Sequence, residues 1–310
     1  MTNVYADASK IIDLTRVDAA DVKTPVDALD SLLAELVFTG GRLSISSSDP
    51  VSSGDNTDTT LYYLPYGGAP DCGLLSLWNS TTSGINQLDV SASPPSVDLS
   101  SVNAATLYDV FGYINSGAVA LELLVWTSST AGSSSRATAL TWQNGMLCKS
   151  GDATRRYLGT ILSNSAGEVT DAPYRRGIYN AYNQVPRQLL KSESTSDWTY
   201  ATSTWRASNN DASNNRLFVV SGLDGTFIEL TFVEATTGTS IAAWTGIAKN
   251  GTTPTYYATR DGSDIQTMTA VLCDSMAAGH HHYTPTEFVS SGTATFYGTP
   301  YHVIQGYVMG

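Results

Sequence analysis

Apolar and polar residues alternate in short runs over most of this chain, and Gly, Ser, Asn and Pro separate the runs. Short runs rich in β-branched and aromatic residues are typical of strands, and turn residues between them mark strand ends. The pattern predicts strands at 61–64, 74–78, 108–113, 121–126 and 217–220. Many short strands at this spacing indicate a β-sandwich or a barrel, and we predict a mainly β fold built from β-sandwich or jelly-roll-like modules.

The second half of the chain continues the same pattern. Further strands are predicted at 198–207, 226–235, 242–248, 253–259, 266–273 and 293–297. Residues 171–185 fit both a helix and a strand, and the alternation from Arg176 to Tyr182 favours a strand. Asn144 and Gly145 lie between two apolar runs, and this dipeptide predicts a tight hairpin turn with positive φ.

The first forty residues carry most of the helical signal. Thr24 and Pro25 form a helix start, with an N-cap residue followed by a proline at the first helical position, and Gly40 ends the run. Apolar side chains recur every three or four residues, at Val22, Val26, Leu29, Leu33 and Leu36. This spacing is that of a coiled-coil seam and predicts a short trimerising helix. The alternative is an amphipathic helix that lies on its own domain.

These patterns divide the chain into three parts. Residues 1–40 form an N-terminal docking arm and trimerising helix, and residues 41–165 form a first β module. Residues 166–310 form a C-terminal β-sandwich module of jelly-roll type. The boundary between the β modules is placed in the stretch 163–167, which is rich in small and polar residues typical of linkers.

Charge and composition narrow the class of function. The 310 residues carry a formal net charge of −12, which argues against nucleic-acid binding because that function needs basic surface. Charged residues make up 14% of the chain, against about 25% in an ordinary domain, so hydroxyls, amides and glycines build much of the surface. The chain shows no signal peptide and no membrane-spanning stretch, so we expect a soluble protein made in a cytosol without membrane insertion.

Few residues suggest reaction chemistry. His280 and His282 are candidate metal ligands because both would point to one face of a strand, but no cysteine or acid follows at ligand spacing. We interpret His302 as structural. Glu122 and Glu229 lie in strand-like runs and are the carboxylates to inspect for a glycosidase pair, and the other interpretation is that both occupy outward strand positions. We predict no catalytic residue and no cofactor.

Two basic doublets, Arg155-Arg156 and Arg175-Arg176, occur in this acidic chain. We expect them to form ion pairs with neighbouring groups, including groups on another subunit, rather than to bind phosphate. Glycine-rich phosphate loops are missing from the sequence. The oxygen-rich loop 209–214 lacks the pattern of a calcium-binding loop and is interpreted as an ordinary polar loop.

Aromatic residues are abundant, with 17 Tyr and 6 Trp beside loops of Ser, Asn and Gly. Rigid aromatic side chains among small polar residues are typical of surfaces that recognise sugars or proteins. This composition therefore favours a recognition function over catalysis.

Several strings along the chain point to one family. They are the strings at 61–66, 108–111, 120–127, 136–151, 155–161, 174–187, 198–200 and 205–206, with shorter ones at 279–283 and 293–298. Together they resemble a group of tailed-bacteriophage virion proteins, the tail-fibre and minor structural proteins. The resemblance covers most of residues 60–206. It implies a β-rich, homotrimeric virion component whose N-terminal region binds other virion proteins and whose C-terminal part projects.

Three functions follow from these observations, all of them located in the virion. The first is a non-enzymatic short fibre or spike, in which residues 1–40 dock and the C-terminal module contacts a host surface glycan or protein. The second is a capsid decoration protein that clamps neighbouring capsid subunits through the N-terminal arm and the arginine doublets. The third is a polysaccharide depolymerase, which needs paired acids in a cleft.

Overall fold

The computed structural model describes residues 37–67, 73–164 and 167–310, and strands make up most of them. The predicted mainly β class is therefore confirmed. The 3₁₀ turn Ser208–Asn210 is the one helical element of the described residues, and no helix among them is long and apolar enough to cross a membrane. The predicted N-terminal helix, with Val22, Val26, Leu29, Leu33 and Leu36, lies outside the described residues, so trimerisation stays a prediction.

The strands follow one another closely along the chain. The first group is β1 (Gly41–Ser44), β2 (Asn56–Asp58), β3 (Thr60–Pro65), β4 (Leu74–Asn79), β5 (Gly84–Asp89), β6 (Ser96–Asp98), β7 (Leu107–Asn115), β8 (Ala118–Val125), β9 (Leu140–Gln143), β10 (Met146–Lys149) and β11 (Asp152–Leu162). The second group is β12 (Val169–Ala172), β13 (Arg175–Arg176), β14 (Ile178–Asn180), β15 (Pro186–Ser192), β16 (Asp197–Tyr200), β17 (Arg206–Ala207), β18 (Leu217–Ser221), β19 (Thr226–Thr237), β20 (Ile241–Lys249), β21 (Tyr256–Gly262), β22 (Gln266–Met276), β23 (Gly279–Ser291) and β24 (Ala294–Met309).

Local sequence signals are reproduced in several places. The segment 171–185, which fitted both a helix and a strand, contains β13 and β14 and no helix. The predicted hairpin is confirmed, since β9 and β10 pair on either side of Asn144 and Gly145. Their φ angles are +50° and +74°, which a two-residue turn of this type requires at both positions.

Five sheets organise these strands. The first part of the chain forms a two-stranded sheet of β4 and β5, a three-stranded sheet in the order β1-β3-β6, and a six-stranded sheet in the order β8-β7-β11-β10-β9 with β14 added beside β11. An eight-stranded sheet has the order β2-β12-β13-β18-β23-β20-β21, with β17 also beside β23. A five-stranded sheet has the order β15-β24-β19-β22, with β16 also beside β24.

The eight-stranded and five-stranded sheets bury their facing sides against each other. Alternate residues of a strand point to opposite faces, so each strand contributes every second side chain to the shared core. The core contains Leu217, Val219, Ile247 and Tyr283 from the larger sheet and Leu189, Leu230, Phe232 and Ile304 from the smaller one. The opposite side of each sheet is called its outer face here, although Val220 on that side of β18 packs against Trp126 and Tyr179.

Strand pairing joins the two sides of the predicted boundary near residue 165. Strand β2 pairs with β12, and β11 pairs with β14. The buried Arg42 guanidinium donates a hydrogen bond of 2.9 Å to the carbonyl oxygen of Gly310 and another to that of Asn183. The end of the chain is therefore held by a residue near its described start.

Candidate functional site: an aromatic cleft

Four aromatic side chains form an open cleft on the outer face of the eight-stranded sheet: Trp205, Trp244, Tyr257 and Phe288. Trp244 of β20 lies directly opposite Phe288 of β23, while the next residues on both strands point into the core. Successive side chains of a strand point to opposite faces, so these two rings lie together on the outer face while their neighbours in sequence fill the core. The cleft has a volume of about 240 Å³.

The rings of the cleft lie at angles to one another rather than in a flat stack. The ring centroids of Trp205 and Phe288 are 5.3 Å apart, and those of Trp205 and Tyr257 are 5.6 Å apart. Trp244 meets Phe288 edge to face at 5.0 Å. Tyr257 is 55% exposed. The arrangement therefore leaves aromatic surface open to solvent, and exposed apolar patches of this kind mark interaction sites.

The segment that carries Trp205 is held in place from below. Its neighbour Arg206 begins β17 and pairs with Glu287 of β23. The Arg206 guanidinium lies 2.6 Å from Oε1 of Glu287 and 3.8 Å from the centre of the Tyr200 ring. The indole N–H of Trp198 donates to Oε2 of the same carboxylate at 2.7 Å. Glu287 is thus a positioning residue that anchors one wall of the cleft.

Beneath this anchor lies a second buried carboxyl group, Glu234. Its Oε2 lies 2.7 Å from Oγ1 of Thr245, and its Oε1 lies 3.6 Å from Nε2 of the fully buried His302. Burial, followed by the charge of Glu287, raises the pKa of Glu234 well above its usual range. Burial lowers the pKa of His302 to about 4. Both shifts favour the neutral form of the group.

The hydroxyl of Thr245 contacts both Glu234 and the backbone. It lies 2.7 Å from Oε2 of Glu234 and 3.2 Å from the carbonyl oxygen of Thr286. When Thr245 donates to Thr286, its oxygen can accept the proton of a neutral Glu234, so the geometry is compatible with the neutral form. Since Glu234 and Glu287 have no exposed surface, the pair belongs to the core and does not meet a substrate.

The predicted metal ligands lie elsewhere on the same outer face. His280 and His282 are on β23, as expected, and both are partly exposed. The described residues contain no group of three or more His, Cys, Asp or Glu side chains arranged to hold a metal. Burial and neighbouring positive charges lower the pKa of each imidazole to about 4. These positive charges also oppose the binding of a metal cation.

The two carboxylates inspected for a glycosidase pair lie on different sheets. Glu122 on β8 forms ion pairs with Lys149, at 3.2 Å, and with Arg155. Glu229 on β19 lines a shallow depression on the outer face of the five-stranded sheet, together with Gln188, Gln305 and Tyr307. Glu122 is therefore used in a surface ion-pair network, and Glu229 faces solvent beside neutral side chains.

Sequence reasoning missed the aromatic cleft as a site. Trp244 and Phe288 each belong to an alternating run, but their pairing depends on the register between β20 and β23, strands separated by β21 and β22. Trp205 was predicted inside a continuous strand at 198–207, but the structure has two short strands there, β16 and β17, and Trp205 lies in the segment 201–205 between them. The one available signal was the presence of large aromatic residues at outward positions of strands that alternate with buried ones.

Comparisons with known proteins do not assign the chain to a family. No family model matches it, and no curated protein matches it. Among solved structures, it is 9% identical to the Eiger TNF of S. frugiperda at a TM-score of 0.27, which covers 40% of this chain and 91% of that one.

Two Bacillus thuringiensis toxin structures show the same low similarity. The Cry1Da tryptic core variant is 9% identical at a TM-score of 0.22, covering 83% of this chain and 52% of that one. The mosquito-larvicidal Cry4Aa toxin is 9% identical at a TM-score of 0.21, covering 86% and 51%. The chain spans about half the length of these two toxins. Likeness at these TM-scores carries no argument about function.

Proposed function

We propose that this chain is a structural protein of a bacteriophage particle, a short trimeric fibre or spike whose C-terminal part binds a saccharide on the host surface. The sequence strings shared with tail-fibre and minor structural proteins support the virion role. The largely uncharged, hydroxyl-rich composition suits an exposed particle surface. The facing eight-stranded and five-stranded sheets support a jelly-roll-like sandwich as the recognition module.

The aromatic cleft is the observation that carries the recognition function. A sugar ring has apolar C–H faces and polar edges, and it stacks on exposed aromatic rings that offer the same combination. The indole N–H groups of Trp205 and Trp244 are hydrogen-bond donors of the kind that sugar hydroxyls accept from. Pockets for larger ligands are typically about 300–1,000 Å³, so the smaller cleft suits a single terminal sugar.

Binding to an array of neutral bacterial saccharides tests this function. Trp205→Ala and Tyr257→Ala should each abolish binding to saccharides that the unaltered chain retains, because each removes one stacking wall. Trp142→Ala is the matched control, since Trp142 is 72% exposed but lies on β9 of another sheet. The proposal would be contradicted if the two cleft variants bound the saccharides as well as the unaltered chain does. It would also be contradicted if the Trp142→Ala control lost binding to the same extent. Release of reducing sugar from a bound polysaccharide would instead indicate a depolymerase.

The position of the chain on the particle is tested by gold-labelled antibody in electron microscopy. Label on the tail or on projecting fibres supports host attachment, and label spread over the head supports the capsid decoration alternative. The arginine doublets that such a clamp would use are largely engaged within the chain. Arg155 pairs with Glu122, Arg176 pairs with Asp171 at 3.3 Å, and Arg156 donates to the carbonyl oxygen of Ser76 at 2.8 Å.

A further inference from the structure

A second cluster on the outer face of the eight-stranded sheet combines two arginines, one phenylalanine and two histidines. Arg175 of β13 lies directly opposite Phe218 of β18, which lies directly opposite His282 of β23. Arg216 and His280 are each two residues from a member of this row, so alternation places them on the same face. We call these five residues the diarginine site.

One aromatic ring brings the two positive charges together. The Cζ atoms of Arg175 and Arg216 lie 5.0 Å and 4.6 Å from the centre of the Phe218 ring. The imidazole of His280 stacks on the same ring, with centroids 5.9 Å apart and planes inclined by 15°. Such cation–π contacts hold a guanidinium in place without neutralising it.

No carboxylate neutralises this pair within the described residues. Arg175 donates from Nη2 to the carbonyl oxygen of Ser163 at 3.0 Å. Asp211 is the acid whose charge acts on the pKa of Arg216. Its carboxylate accepts hydrogen bonds from the backbone N–H groups of Ser213 and Asn214 and forms no ion pair with Arg216. Arg42, Arg156 and Arg260 also lack a carboxylate partner, but each donates to backbone carbonyl oxygens, and only Arg175 and Arg216 among the described arginines share one aromatic ring.

Other arginines of the chain show the contrast. Those with a carboxylate partner include Arg136 with Asp109, Arg187 with Asp171, and Arg206 with Glu287, at distances of 2.8, 2.7 and 2.6 Å respectively. At the diarginine site, buried nitrogen atoms instead lack a hydrogen-bond partner: Nε of Arg175, Nε of Arg216 and Nε2 of His280. Each such group has lost its hydrogen bonds to water without a replacement, which is unfavourable. A bound group that accepts hydrogen bonds would offset this cost.

We propose that the diarginine site binds a phosphate-type oxyanion, with Arg175 and Arg216 supplying charge, Phe218 holding the two guanidinium groups, and the imidazoles of His280 and His282 lining the site. Arginine suits this chemistry because its planar fork matches the oxygens of a phosphate group. This reverses the sequence-based expectation for one doublet residue, Arg175, which was expected to form an ion pair. The shared chemistry is a phosphate group, either free or attached to a saccharide.

The diarginine site is separate from the aromatic cleft. Five residues of β23 lie between His282 and Phe288, and the six steps along an extended strand separate the two by about 20 Å. The inference therefore does not depend on the proposed saccharide binding, and either one can fail alone. Trp205→Ala should leave phosphate binding unchanged.

Isothermal titration with inorganic phosphate and with glucose 1-phosphate, at low ionic strength, tests the proposal. Both should bind the unaltered chain with saturation, and Arg216→Gln should weaken binding about tenfold or more, because one of two charges is removed. Arg155→Gln is the matched control. Arg155 also stacks on an aromatic ring, but it pairs with Glu122, and both residues lie on the six-stranded sheet, away from the diarginine site. Equal affinity for both ligands identifies free phosphate as sufficient, and tighter binding of the sugar phosphate identifies a phosphorylated saccharide.

Histidine titration by NMR gives a second measurement on the unaltered protein. Sulfate keeps its charge over the range used and imitates the phosphate oxygens. It should raise the pKa values of His280 and His282 above the value of about 4 that each has without an anion, because a bound anion stabilises the protonated form. The buried His302 should not respond. The proposal would be overturned if calorimetry showed no saturable binding, or if Arg216→Gln and Arg155→Gln weakened phosphate binding equally. It would also be overturned if sulfate left the pKa values of His280 and His282 unchanged.

Discussion

The side chains that matter most in this molecule are polar groups whose role depends on burial. Burial raises the pKa of both Glu234 and Glu287, and the charge of Glu287 raises that of Glu234 further, whereas the Trp198 indole and Arg206 counteract the rise at Glu287. The two carboxyl groups therefore differ in function although both lie on long strands. Sequence reasoning passed over both acids, because an acid at an alternate strand position is ordinarily outward-facing and solvated.

Glu234→Gln should remove one pH-dependent component of stability. In the unfolded state Glu234 has the ordinary glutamate pKa of 4.5 and loses its proton above that pH, whereas the raised pKa keeps the proton bound in the folded state. The free energy of unfolding therefore falls as pH rises above 4.5. Glutamine cannot lose this proton. The difference in melting temperature between the variant and the unaltered chain should therefore grow in favour of the variant as pH rises.

Melting curves followed by circular dichroism over this pH range measure the effect. The lowered pKa of His302 acts in the opposite direction, because it makes stability rise with pH between about pH 4 and pH 6.5. This contribution is present in both proteins, so it cancels when their melting temperatures are subtracted. Glu229→Gln on the exposed face of the same strand is the control and should follow the unaltered chain. Parallel pH profiles for Glu234→Gln and the unaltered chain would show that Glu234 is ionised.

At the scale of elements, the alternating pattern located strands well because each strand has one core face. The runs at 61–64, 108–113 and 226–235 all lie within observed strands. Turn chemistry was equally informative at the β9–β10 hairpin. What the pattern could not supply was pairing, such as the parallel contact between β13 and β18 in an otherwise antiparallel sheet.

Gly145→Val tests the hairpin turn directly. A β-branched residue at a φ of +74° is strained, so we expect a loss of about 1–2 kcal/mol of stability and faster hydrogen exchange at the amides of β9 and β10. Asn144→Gly is the control, because glycine adopts positive φ without strain and should leave both quantities nearly unchanged. If the amides of β9 and β10 exchanged equally slowly in the two variants, the turn residues would not determine the stability of the hairpin.

At the scale of the whole molecule, the chain is tied together across its length. Leu43 donates its backbone N–H to Oδ1 of Asn180 at 2.6 Å, and Arg187 donates to the carbonyl oxygen of Ser52 at 2.6 Å. A core cluster of the first part also includes Val169 and Ile178. Residues on both sides of the predicted boundary therefore share sheets, core and buried hydrogen bonds.

A fragment of residues 37–165 should consequently fail to fold independently. It would lose the strands β12 and β14 and leave buried donors such as Leu43 N–H without partners, which costs about 1–3 kcal/mol each. We expect no cooperative thermal transition in the fragment and a single transition in the full chain. A sharp transition in the fragment would establish residues 41–165 as a separate module, as the sequence predicted.

The predicted trimer is tested through the N-terminal seam. Leu29→Asp combined with Leu33→Asp places charges at two seam positions and should convert trimers to monomers, because a buried unpaired carboxylate is strongly unfavourable. Light scattering measures the mass. Substitution of the exposed Leu190 by Asp on β15 is the control and should leave the mass unchanged. An unaltered trimer mass in the seam variant would refute the role of Val22 to Leu36.

The sequence by itself determined the β class, most strand positions and the hairpin, since alternation and turn chemistry are local properties of neighbouring residues. Only the tertiary structure decided which strands pair, and therefore which outward side chains meet. Trp244 and Phe288 are 44 positions apart in the sequence, and Arg175 and His282 are 107 positions apart. Register brings each pair to one face, so the aromatic cleft, the diarginine site and the protonated Glu234 exist through long-range packing, which no local pattern encodes.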